Sequence, residues 1–102
     1  MEGLIMNDFT KKANENIEKE FLKILRFVIK KNTDYSASSF SGNNLLVKNQ
    51  ARIEDKMRRC LNLFNNNDRQ IDDEHIIDTL TDLCGYIVIR RILLELGKNE
   101  DK

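Results

Sequence analysis

Glu74-His75-Ile76-Ile77-Asp78-Thr79-Leu80-Thr81-Asp82-Leu83-Cys84-Gly85-Tyr86 decides the fold class, because it carries two helical stripes at once. Ile76, Leu80, Leu83 and Ile87 recur every three or four residues, the spacing of an apolar helix face. Glu74, Asp78 and Asp82 recur every four residues, so their carboxylates stack along a second face. Like charges at that spacing repel by roughly a few tenths of a kcal/mol per pair. The acidic stripe therefore calls for a cation: a metal such as Mg²⁺, a Lys/Arg row of another helix, or the counter-charge of a ligand. Glu74, Asp78 and Asp82 are the candidate metal ligands, since Mg²⁺ prefers oxygen donors and often bridges to substrate phosphates. The N-terminal end of a helix dipole accounts for Glu74 easily and for Asp82, two turns in, poorly.

Outward from this stretch the chain reads as all-α. It has 102 residues, no Pro and only four Gly, so helix breakers are scarce. The length fits one domain, residues 1–102, with flexible ends at 1–6 and 98–102. Asn7 or Asp8 can cap a first helix over 8–31, whose stripe is Phe9, Ala13, Ile17, Phe21, Leu25 and Val28. Residues 32–44 are small, polar and aperiodic, a long loop with at most a helical turn. Within it Phe40 and Tyr35 can pin the loop to the core, and Tyr35 also offers a ring for stacking. A second helix starts near Leu45, with Leu46, Ile53, Met57, Cys60, Leu61 and Phe64 as its core stripe and Arg52, Lys56 and Arg59 beside it. A polar turn over 65–70 leads to a third helix over 73–96, capped by Asp72 or Asp73 and stopped by Gly97. The architecture expected is three helices with a long loop between the first two. Ile89 and Ile92 fall off the main stripe of the third helix, which is the pattern of a helix buried on several sides. A homo-oligomer contact through that helix is the expectation.

Charge and composition restrict the function classes. Lys plus Arg equals Asp plus Glu at 17 each, so there is no net basic footprint for general nucleic-acid binding. No apolar run reaches the length of a membrane span, and no secretory signal pattern opens the sequence, so a cytoplasmic location without membrane contact is expected. Cys60 and Cys84 each sit in an apolar stripe without metal-ligand spacing and read as reduced core thiols. The abundance of Asn, Lys and Ile suits an AT-rich bacterial or phage genome.

The groups able to do chemistry converge on anion binding. Arg52, Lys56 and Arg59 are natural phosphate partners, Arg by bidentate bonds and Lys as a point charge. The plain alternative is a row of salt bridges from them to Asp78 and Asp82. His75, the one histidine, has no Ser or Cys partner for a nucleophile set, and the loop serines lack the glycine pattern of a phosphate-binding loop. Gly85 costs roughly 1 kcal/mol against Ala in mid-helix, a cost consistent with close packing of a helix or ligand. Tyr86 lies one turn beyond Asp82 and extends the polar stripe.

Three segments together carry a resemblance: Lys31-Asn32-Thr33-Asp34-Tyr35, then Arg52-Ile53-Glu54-Asp55-Lys56-Met57-Arg58-Arg59-Cys60-Leu61-Asn62-Leu63, then Asp78-Thr79-Leu80-Thr81-Asp82-Leu83-Cys84-Gly85-Tyr86. Over residues 30–95 the chain resembles the nucleotide modification associated domain type 1 family, a small all-helical family of phages and bacteria. It departs from that pattern at Ser36, where Gly is frequent, and at Cys84, where Ala is. The resemblance implies a role connected with nucleotides or modified bases, and one site lined by Asp34, Tyr35, Lys56, Arg59, Asp78, Asp82 and Tyr86. A weaker likeness is to the all-helical nucleoside triphosphate pyrophosphatases of the MazG and dimeric dUTPase kind, whose double Glu-x-x-Glu arrangement is missing here. Three functions follow. First is a phage-type protein that binds a phosphorylated nucleotide in a mixed-charge pocket, for nucleotide metabolism or modification or to sequester a signalling nucleotide. Second is a Mg²⁺-dependent nucleotide (pyro)phosphohydrolase. Third is a non-catalytic, oligomeric interaction module.

Overall fold

The structure is a computed structural model that describes residues 7–65 and 73–100, except for the side chains of 73, 74 and 98–100. It is all-α: α1 (Asp8–Asp34), a short 3-10 turn (Ser38–Phe40), α2 (Leu45–Asn65) and α3 (Asp73–Glu100), with no strand among the described residues. The expected turn over 66–70 and the cap at Asp72 lie outside the described residues, as do the ends 1–6 and 101–102.

Local chemistry explains where α1 begins and ends. Asn7 is its N-cap, and the Asn7 Oδ1 accepts a 2.7 Å hydrogen bond from the Thr10 backbone N–H. At the other end the helix continues three residues beyond the expected boundary, to Asp34. It closes with the Ala37 N–H donating to the Asn32 carbonyl and the Ser36 N–H to the Thr33 carbonyl. That pair of bonds is a Schellman closure, whose key residue must be left-handed. Ser36 fills that position with φ 52°, and Ala37 follows at φ 55°. Both residues hold a backbone conformation that favours glycine.

The α2–α3 pair forms the centre. Leu46 and Asn49 lie beside Arg90, Arg52 beside Tyr86, and Lys56 beside Asp82, so the two helices run antiparallel. The α2 seam is Asn49, Ile53, Lys56 and Cys60; the α3 seam is Thr79, Asp82, Tyr86, Ile89 and Leu93. Both alternate steps of three and four, the spacing of a coiled-coil seam. Asn49, Ile53, Cys60, Thr79, Ile89 and Leu93 are buried. Cys60 and Cys84 are free thiols, and Cys84 is only half-buried.

This seam corrects the sequence expectation for α3. Ile89, expected off the main stripe, is core, whereas Leu80 and Ile87, expected in it, are exposed. The seam is harder to see because Thr79, Asp82 and Tyr86 occupy positions where an apolar residue is the usual signal. Helix α3 also runs through Gly97 to Glu100, so that glycine is not its stop. Nothing lies within 4 Å of a Cβ built on it.

Helix α1 docks on α3 near its own C-terminal end. Val28 sits against Gly85, where an added Cβ would come within 3.1 Å of a Val28 methyl. Close helix approach is therefore what the mid-helix glycine provides. No residue of α1 is buried. The molecule measures 49 × 46 × 23 Å with a radius of gyration of 17.5 Å, against about 13 Å for a compact chain of this length.

Candidate functional site

The three helices and the loop meet around one cleft of about 410 Å³, within the range of roughly 300–1,000 Å³ common for small-molecule sites. Helix α1 supplies Phe27, Val28, Lys31 and Asn32; the connection supplies Tyr35, Ser38 and Ser39. Helix α2 adds Arg52 and Lys56, and α3 adds Thr81, Asp82, Gly85, Tyr86 and Ile89. Because Arg52 and Lys56 are one turn apart on α2, and Asp82 and Tyr86 one turn apart on α3, the antiparallel seam brings all four to the same end of the cleft.

Asp82 is the electrostatic centre. Its Oδ1 accepts a 2.7 Å hydrogen bond from Lys31 Nζ, and its Oδ2 lies 3.1 Å from Lys56 Nζ. The Asp82 and Lys56 side chains are only 16% and 18% exposed, while Lys31 remains 44% exposed. Partial burial pushes the Asp82 carboxyl upward, but the hydrogen bonds and charges of the two lysines outweigh it and hold its pKa below the ordinary value. Lys31 is raised in turn, chiefly by its hydrogen bond to Asp82 and against the effect of its own burial. The Lys31 ammonium also lies 4.8 Å from the centre of the Phe27 ring, a cation–π distance.

One turn along the same two helices the lining is aromatic. Arg52 stands 5.7 Å from the Tyr86 ring centre, with its Nη1 3.5 Å from the Tyr86 hydroxyl. The Tyr86 backbone is held from α2: Asn49 Nδ2 donates to the Tyr86 carbonyl at 3.0 Å, and Asn49 Oδ1 accepts from Arg90 Nε at 3.0 Å. Tyr35, two-thirds exposed, lines the cleft, while Phe40 of the connection is half-buried. Lys31, Arg52 and Lys56 against Asp82 give the lining a formal charge of +2. Ammonium and guanidinium groups beside flat rings can hold an anionic group joined to an aromatic one.

Of the residues expected at one site, Tyr35, Arg52, Lys56, Asp82 and Tyr86 line this cleft. Three others point elsewhere. Asp34 is exposed and pairs with Lys30 at 2.7 Å on its own helix. Arg59 and Asp78 are exposed and do not line the cleft. For the metal expectation, the Glu74 side chain lies outside the described residues, and Asp82 faces two lysines. No group of three or more His, Cys, Asp or Glu among the described residues is placed to hold a metal ion.

Lys31, which the sequence marks only as the start of the loop segment and not as a site residue, reaches across to Asp82. Sequence reasoning also overlooked Asn49, a polar residue at a seam position of α2. Comparison with family models, with curated proteins and with solved structures returned no match. No helix among the described residues is long and apolar enough to cross a membrane.

Proposed function

We propose that the cleft binds a phosphorylated nucleotide and that the working form is a homo-oligomer. Lys31, Lys56 and Arg52 hold the phosphate, and Tyr86, Tyr35 and Phe27 provide faces for the base. The carrying observation is the excess of three cations over one carboxylate beside aromatic walls. Both Asp82 oxygens already face lysines, which favours binding over a metal-dependent hydrolysis that would use this carboxylate as a ligand. Asp82 then serves to hold the two ammonium groups side by side. The family resemblance supports the same direction: a nucleotide-handling role of phage type, in nucleotide metabolism or modification or in sequestering a signalling nucleotide.

Titration calorimetry with nucleosides, nucleoside monophosphates and nucleoside triphosphates tests the reading. Saturable binding of phosphorylated members is expected, weakened at least tenfold by Lys56→Met and unchanged by Arg59→Ala. Silence across the panel at millimolar ligand would sink it. Release of phosphate or pyrophosphate in the presence of Mg²⁺ would replace binding with hydrolysis.

A further inference from the structure

Helix α1 carries one continuous apolar stripe, and the protomer uses only its end. Ile24 and Val28 are half-buried, Val28 against Gly85 of α3, but Phe9 is 83% exposed, Ile17 55% and Phe21 70%. With 100° between successive residues, all five fall on the same side of the helix. The stripe therefore runs off the edge of its own protomer. A second, partly open stripe lies on α3. Ile76, Leu80, Leu83 and Ile87 share one side of the helix, away from the α2 seam and from Gly85; Ile76 and Leu83 are half-buried, and Leu80 and Ile87 are exposed.

We infer that these two surfaces cover each other between two copies of this chain, the projecting part of α1 from each protomer lying on the α3 stripe of its partner. The lengths are close: residues 9–21 span about 18 Å and 76–87 about 17 Å at roughly 1.5 Å per residue. The area is adequate. Phe9, Ile17, Phe21, Leu80 and Ile87 together leave on the order of 600 Å² of apolar surface open per chain, divided between the two stripes. Two symmetric contacts would remove about 1,200 Å², the lower limit of a standard interface. Both arms are exchanged between the same two copies, so the contact has two-fold symmetry and closes at a dimer. The consequence for the cleft is mechanical: α1 carries Lys31, and a partner gripping its far end fixes that wall.

Sedimentation and light scattering at tens of micromolar give the test. Twice the 12.0 kDa chain mass is expected for the wild type, and the single chain mass for Phe21→Glu and for Ile87→Glu. Both residues are exposed in the protomer, so the helical circular dichroism should persist. Should either variant unfold, covalent surface labelling of the wild type at high and low concentration decides. Protection confined to 9–21 and 76–87 at high concentration supports the arm exchange, and protection elsewhere overturns it. A wild type of 12.0 kDa overturns it as well, whether or not that monomer sediments with lipid vesicles.

Discussion

Replacing Asp82 by Asn tests the electrostatic centre directly. Asn keeps the size and one acceptor oxygen but removes the charge that both lysines face at 2.7 and 3.1 Å. Fully exposed ion pairs contribute about 0–1 kcal/mol, while breaking a buried one costs about 3–5 kcal/mol. The Lys56–Asp82 pair, each side chain under one-fifth exposed, lies between these limits. The half-exposed Lys31 adds little, because water screens it. A loss of about 2 kcal/mol follows, and at roughly 4–8 °C per kcal/mol for a domain of this size the melting temperature falls by about 10 °C. Thermal circular dichroism at pH 7 and one fixed protein concentration reads it. The pH dependence makes the test specific. The folded pKa of Asp82 is depressed, so its stabilisation is complete above the unfolded value of about 3.9 and is lost as pH falls through the lower folded value. The variant has no proton to gain at this position. The gap between wild type and variant should hold from pH 7 to about 5 and then close towards pH 3. A gap that stays the same at pH 3, or a variant as stable as the wild type at pH 7, refutes the assignment.

Two further substitutions probe the frame around the cleft. Ser36→Gly relieves the left-handed strain of about 1–2 kcal/mol at φ 52°. It adds the flexibility cost of glycine, roughly 0.5–1 kcal/mol, so a net gain of about 0.5 kcal/mol is expected, visible as a melting temperature about 3 °C higher. Asn49→Ala removes a hydrogen bond to a carbonyl and one to a guanidinium. A loss of about 2–3 kcal/mol is expected, with the urea midpoint lowered and the slope unchanged; a change in slope instead would mean that the substitution alters how much surface unfolds.

The helices themselves were legible because the chain contains little that could interrupt them, and the cap at Asn7 follows from the preference of a side-chain acceptor for orphan N–H groups. The end of α1 was harder to place. A polar run from Asn32 resembles a loop by composition, yet Asn32 to Asp34 stay helical, and the chain turns only through the Schellman closure that follows. The closure depends on one residue tolerating a left-handed φ, and Ser36 gives a weaker signal of that than glycine would.

The α2–α3 seam was misread for a reason tied to the site. Hydrophobic periodicity finds the face that sheds water, and it selected Ile76, Leu80, Leu83 and Ile87 on α3. On that face Leu80 and Ile87 stand exposed, whereas the intramolecular seam gives three of its positions to Thr79, Asp82 and Tyr86. A coiled-coil seam tolerates a polar residue only with a partner opposite, at some cost in stability. Here Asp82 meets Lys56 across the seam, and Asn49 meets the Tyr86 carbonyl. The polar groups that hide the packing from a periodicity search are thus those that assemble the cleft. Charge spacing was a better guide: Asp82 and Lys56 were marked by their stripes, and each proved to be the other's counter-charge. What spacing alone could not reveal was which carboxylates of the stripe turn inward. The seam positions decide that, selecting Asp82 and leaving Asp78 in solvent.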